Sequence, residues 1–291
     1  MTTVATPALT DAVVAFAGNA WAFREPVRAA ARPFVCAVVI AALAGATSER
    51  VTIALATLDA GTPRLRARAV GRVDARSPID AAFLTALAAA GDGCATPVAA
   101  AALAAGDATG SGGAMVLDAF IAGFEVAVRL ERALGASFSE RGWDVRGTAG
   151  RIGAAIAAAR VLGLQRGPLR DAIGIAATAS SGLRSAAGTM TCAFVPAAAA
   201  ADGVEAALLA RAEFTGAPAA IEGRRGVGAL MSGAFEASAV TGGLGETFAF
   251  ASLAPDASAR VTEDERSRQV RAVVDRMERL PAIADLLVAT Q

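Results

Sequence analysis

The 291 residues of this chain include no histidine, no lysine and no tyrosine. Each absence removes a class of chemistry. Without histidine there is no Ser-His-Asp triad and no histidine-held zinc or iron. Without lysine there is no Schiff base. Cysteine is scarce: Cys36, Cys94 and Cys192 are the 3 in the chain, and none forms a C-x-x-C pair. An odd count argues against a disulfide framework and for reduced thiols in a cytoplasmic protein. No metal site and no cofactor is expected from the donors that remain. Net charge is zero, with 27 basic and 27 acidic residues and every basic one an arginine. Nucleic-acid binding is therefore not expected, because that affinity comes mostly from phosphate neutralisation. The start of the chain, "MTTVATPALTDAVV", has no positive n-region, so no signal peptide is expected. The most apolar run, Pro33 to Ala46, is shorter than the roughly 20 residues of a spanning helix. It reads as a buried core helix, with no membrane partner.

What the chain does have is bulk for a core. Apolar residues make up 55% and charged residues 19%, the balance of a folded globular chain rather than a disordered one. The patterning is helical throughout. "DAVVAFAGNAW" and "VRAAARPFVCAVVIAALAG" read as two early helices, the second closed by Gly45. "TPRLRARAVGRVDA" is the one extended candidate, a short hairpin or a loop. "SPIDAAFLTALAAAG" starts a helix with Ser77 as cap, Pro78 in the first turn and Asp80 at the positive end of the dipole. "GDGCATP" breaks the run. In "GGAMVLDAFIAGFEVAVRLERALG" the positions Val116, Phe120, Ile121, Phe124 and Val128 recur at helical spacing. "GTAGRIGAAIAAARVLGL" is small on every face, which suits a helix at the centre of a bundle. Further helices follow at "GPLRDAIGIAATASSGL", with Pro168 near its start and Gly182 at its end, and at "PAAAAADGVEAALLARAEFTG". A last one at "EDERSRQVRAVVDRMERLPAIADLLVAT" is broken at Pro281.

Six stretches in order carry a family resemblance: "DAAFLTALAAAGDG", "LDAFIAGFEVAVRL", "RGWDVRGTAGRIGAAIAAARVLGL", "LRDAIGIAATASSGL", "AAGTMTCAFVPAAAAADGVEAALLARAEFTGAPAAIEG" and "TGGLG". Together they resemble the MmgE/PrpD family, which includes 2-methylcitrate dehydratase and cis-aconitate decarboxylase. The resemblance implies an all-α fold: a helical bundle working as a homodimer. It divides the single domain 1–291 into residues 1–245, matching the N-terminal helical part, a short linker 246–262 where the family inserts an α/β lid, and a returning C-terminal helix 263–291. The lid itself has no counterpart between them. The family's catalytic positions also differ here. Its G-[FW]-H histidine falls on Asp144, its GTM-x-K lysine on Cys192, and the histidine four residues later on Pro196. Its acidic, histidine-containing loop is shortened to "GDGCATP", which keeps Asp92.

These positions supply the candidate site. Asp144 is the first choice for a catalytic base, with Trp143 beside it to exclude water and make it a stronger proton acceptor. Its plain alternative is an acid at a helix start. Asp92 is the second acid, or simply half of an Asp-Gly turn. Arg146 either pairs with Asp144 or grips a substrate carboxylate. Cys94 and Cys192 are expected to line the substrate pocket, as small apolar groups rather than nucleophiles. Glu125 and Arg129 form a structural i,i+4 pair. "GGLGET" lacks the lysine of a phosphate loop. Losing a lysine and a histidine at 192 and 196 predicts a less charged pocket for a largely apolar small molecule. Three readings stay open. The chain is a repurposed cyclase, isomerase or dehydratase of natural-product type using carboxylate chemistry. Alternatively it is a non-catalytic binding or scaffold member. The third reading is a family-type dehydratase or decarboxylase of a polycarboxylate.

Overall fold

A computed structural model describes residues 8–19, 22–57, 65–255 and 265–289. In chain order its main elements are α1 (Leu9–Ala17), α2 (Glu25–Gly45), α3 (Glu49–Thr57), β1 (Ala67–Arg68), β2 (Ala75–Arg76), α4 (Pro78–Ala89), α5 (Ala95–Thr109) and α6 (Gly113–Glu140). They continue with α7 (Ala149–Val161), α8 (Arg166–Thr178), α9 (Thr191–Arg211), α10 (Val227–Met231), α11 (Ala237–Thr241), α12 (Glu265–Val274) and α13 (Ala284–Ala289). The fold is all-α. The extended candidate folds as a hairpin that pairs Ala67 with Arg76 and Arg68 with Ala75.

Local chemistry starts α4 as expected. Ser77 sits extended before the helix and its hydroxyl accepts from the Asp80 amide at 3.1 Å, with Pro78 in the first turn. Gly45 does close α2, but for a packing reason: a Cβ there would lie 2.0 Å from the Ala88 carbonyl oxygen of α4. α2 is longer than the apolar run that marks it. Its arginine-bearing first half is held by Arg28 on Asp118 and Arg32 on Glu278. At 21 residues each, α2 and α9 are long and apolar enough to cross a membrane by length and composition. Both are packed into the bundle: α2 against α4, α5, α6 and α12, and α9 against α4, α5, α7 and α8.

α7 is the axis. It packs against α5, α6, α8 and α9, and every one of its residues except Arg160 is buried. Its small side chains make this possible. Gly123 of α6 and Gly153 of α7 face each other, and a Cβ on Gly153 would come within 2.6 Å of the Gly123 carbonyl oxygen. Only glycine permits two helix backbones to touch in this way.

The buried Glu125–Arg129 pair of α6 reaches further than one helix. Arg129 donates to the carbonyl oxygens of Val240, Gly242, Gly243 and Thr247. Glu125 accepts from the amides of Ala249 and Phe250. The "TGGLGETFAF" turn is thus stitched to the bundle through its own backbone. This occupies polar groups that would otherwise be buried unbonded.

Three sequence expectations need correcting. The "GDGCATP" break ends inside α5, whose remaining residues carry no sequence signal, because a helix apolar all round has no amphipathic stripe to reveal it. α8 ends at Thr178 rather than at Gly182. The C-terminal segment is not one helix broken at Pro281. It leaves the α-helix at Val274, well before the proline, and resumes in a 3-10 turn (Met277–Arg279) and α13. Residues 246–255 of the linker are described and include a 3-10 turn at Ala249–Ser252. The rest of the linker, from 256 on, lies outside the described residues.

Candidate functional site

Four segments converge on one cavity of about 330 Å³. The Gly91–Gly93 turn brings Asp92, and α6 brings Glu131 and Ser139. The loop ahead of α7 brings Asp144, Val145 and Arg146, and the approach to α9 brings Arg184, Ala186, Ala187 and Cys192. Two local devices create this meeting. Inside α6, Gly135 adopts φ 65°, ψ −174° and kinks the helix, so that Glu131 and Ser139 lie on either side of a bend. Beyond it, Trp143 and Asp144 pass beside Leu183 in an isolated antiparallel bridge between Trp143 and Leu183. The Asp144 amide donates to the Gly182 carbonyl at 3.1 Å, and the Arg184 amide donates to that of Gly142 at 2.8 Å.

The extended backbone decides which neighbours face inward, because successive side chains of an extended segment point to opposite sides. Asp144 lines the cavity; Trp143, half-buried, does not, and bridges Leu183 through its backbone instead. The wall of tryptophan expected beside the carboxylate is therefore not there. Cys94 is also absent from the lining. It is buried behind Val145, with its Sγ 3.8 Å from that residue's carbonyl oxygen. Pro196 is buried within α9.

Asp144 and Arg146 are committed to each other. The carboxylate accepts from the Arg146 amide at 2.9 Å, from Nε at 2.9 Å and from Nη2 at 2.6 Å. Both residues are buried. The guanidinium also donates to the Gly91 carbonyl at 3.1 Å and to Cys192 Sγ at 3.3 Å, and approaches Asp92 at 3.7 Å. Burial alone would weaken its hold on its proton. The bonds to Asp144 and Cys192 reverse this and raise it. Chemically this is a rigid clamp: a bidentate pair with its remaining donors already placed. It forms part of the cavity wall, with both oxygens of Asp144 engaged by Arg146.

A further carboxylate in the cavity, Glu131, was not legible in the sequence. Glu131 accepts no hydrogen bond and forms no ion pair among the described residues. Glu131 is an exposed residue of the cavity lining. The protein mass around it nonetheless pushes its carboxyl above the ordinary value of 4.5, against the lowering influence of Arg132. Opposite in sign, the Arg184 side chain is likewise without a hydrogen bond or ion pair among the described residues. Five of the ten lining residues carry charged side chains, and Cys192 adds a thiol. The expected less charged, largely apolar pocket is thus corrected: Asp92, Glu131, Asp144, Arg146 and Arg184 make half of its lining charged.

The thiols separate cleanly. Burial pushes Cys36 up to about 11 and Cys94 well above the ordinary thiol range, whereas Cys192 is half-exposed on the cavity. Titration of the native protein with a disulfide reagent should label one thiol quickly. That phase should vanish in Cys192→Ser, and all 3 cysteines should react in denaturant. A fast phase surviving in Cys192→Ser would contradict the burial of the other two.

Comparison with curated proteins returns no match. The model of the MmgE/PrpD N-terminal domain, by contrast, matches residues 20–239, a span that contains every residue lining the cavity. The chain therefore belongs to the MmgE/PrpD family.

Proposed function

We propose that this chain is a small-molecule enzyme of the lyase, isomerase or cyclase type, working by proton transfer to and from a carboxylate in the cavity. The observation that supports it is the division of labour among the ionisable groups. Asp144 and Arg146 neutralise and fix one another, while Glu131 faces the same space with no partner. In the simplest step a substrate C–H bond gives its proton to Glu131, and its electron pair moves into an adjacent acceptor such as a carbonyl. The acid so formed then returns the proton to a neighbouring carbon in an isomerisation, or to a departing hydroxyl in a dehydration. A raised carboxyl suits this work, because it gives and takes protons nearer neutral pH than an ordinary glutamate does. Asp144 acts by holding Arg146 rather than as the base.

The test is protein-dependent deuterium incorporation. The protein is incubated in D₂O with small-molecule extracts and the pool is read by mass spectrometry. Label should enter a specific compound with the wild type. With Glu131→Gln, which keeps size but removes the base, its rate should fall by about 10²–10⁴. The acid limb of the pH–rate profile, set above the ordinary carboxylate value, should also be lost. Incorporation equal in both proteins would remove Glu131 from the role. No incorporation with any extract would favour a non-catalytic binding member of the family.

A further inference from the structure

The cavity also says what kind of molecule it receives. It presents three carboxylates, Asp92, Glu131 and Asp144, and two guanidinium groups, Arg146 and Arg184. One of the two cations is already spent. Arg146 is buried, doubly bonded to Asp144, and tied as well to the Gly91 carbonyl and to Cys192. A ligand anion could reach it only by displacing a bidentate carboxylate held in place by its own backbone neighbour. The other buried arginine close by, Arg151 of α7, lines the neighbouring cavity beyond the Leu183–Thr191 segment. It is bound to Asp202, to the Gly147 carbonyl and to the Ser181 hydroxyl. Arg184 alone among these three carries a guanidinium with no partner among the described residues. Its backbone is fixed at 2.8 Å from Gly142, so the side chain starts from an anchored point.

We propose that Arg184 is the anion anchor of this cavity and that its ligand is a small monocarboxylate rather than a polyacid. One free cation can neutralise one carboxylate. A second carboxylate on the ligand would find no other free cation among the described residues of the cavity and would meet Asp92 and Glu131 as like charges. The carbon skeleton has its own surface in Val145, Ala186 and Ala187. This rests on the reading of the cavity as the working site, and it adds the chemical class of the substrate and the residue that selects it.

Equilibrium binding tests the proposal without any turnover. Hexanoate, adipate, citrate and hexanamide are titrated against the wild type, Arg184→Gln and Arg184→Lys by calorimetry or ligand-detected NMR. Hexanoate should bind, and hexanamide, adipate and citrate should bind more weakly. Arg184→Gln should weaken hexanoate by about 10- to 100-fold, as expected for losing a charge-assisted pair. Arg184→Lys should restore part of it. Because Arg184 is exposed, the unfolding midpoint should be the same in all three proteins. Citrate or adipate binding as well as hexanoate would overturn the proposal. Hexanoate binding unchanged in Arg184→Gln, or no probe binding at all, would overturn it too. None of these outcomes bears on deuterium incorporation, so the enzymatic reading stands or falls separately.

Discussion

Replacing Arg129 by leucine should destabilise the protein by about 3–5 kcal/mol, the usual consequence of leaving half of a buried ion pair uncompensated. Glu125 is fully buried and Arg129 is 4% exposed, so solvent cannot take over for the missing cation. The loss extends to the "TGGLGETFAF" turn, because four backbone carbonyl groups lose their donor at once. Chemical denaturation of wild type and variant measures the difference directly. The double variant Glu125→Leu/Arg129→Leu should recover part of the loss, since no charge is then stranded, but not all of it. The amides of Ala249 and Phe250 would still lack their acceptor. A change within 0.5 kcal/mol for Arg129→Leu alone would mean that the turn does not depend on this pair.

The second large effect should come from the smallest residue. Gly153→Val should cost roughly 3 kcal/mol or more, at or beyond the upper end of ordinary overpacking. The first added carbon would already lie 2.6 Å from the Gly123 carbonyl oxygen, 2.9 Å from the Ala127 Cβ and 2.9 Å from Val98. The nearest of these is backbone and cannot rotate aside. Gly167→Ala is the matched control. It lies in the first turn of α8 with nothing within 4 Å of the added carbon, and it should be neutral or stabilising by about 0.4–1 kcal/mol. Equal midpoints for Gly153→Val and wild type would show that α6 and α7 can separate freely.

How much of this could be read from the residues depends on whether the signal was local. The cap at Ser77 and the amphipathic stripe of α6 are local, and both are legible. The small-residue run of α7 is local as well, and its meaning follows from size alone. α5 is different: a helix of alanines buried on all sides has no contrast between faces, and contrast is what periodicity detects. The site divides along the same line. Asp92, Asp144, Arg146 and Cys192 stand in or beside a recognisable frame and do meet in one cavity. Glu131 and Arg184 look like ordinary surface charges in the sequence. Nothing near them announces that a kink at Gly135 and a bridge between Trp143 and Leu183 will turn them toward the same space. Trp143 was misjudged by one residue of pleat: the alternation that turns Asp144 inward turns its neighbour away.

The central helix also sets the directions in which this sequence can drift. A core built from large side chains can shrink at one position and swell at another, keeping its volume while its shape wanders. α7 has no such freedom. Its alanines and glycines are already near the lower limit of size, and at Gly153 the first contact is backbone, so change there runs almost entirely toward enlargement, which the packing opposes. The loops that line the cavity hang from this fixed axle without sharing its constraint. A substitution at Asp92 or Asp144 would leave the axle untouched. Such an architecture separates a frame fixed by size from a rim whose side chains are free of that constraint.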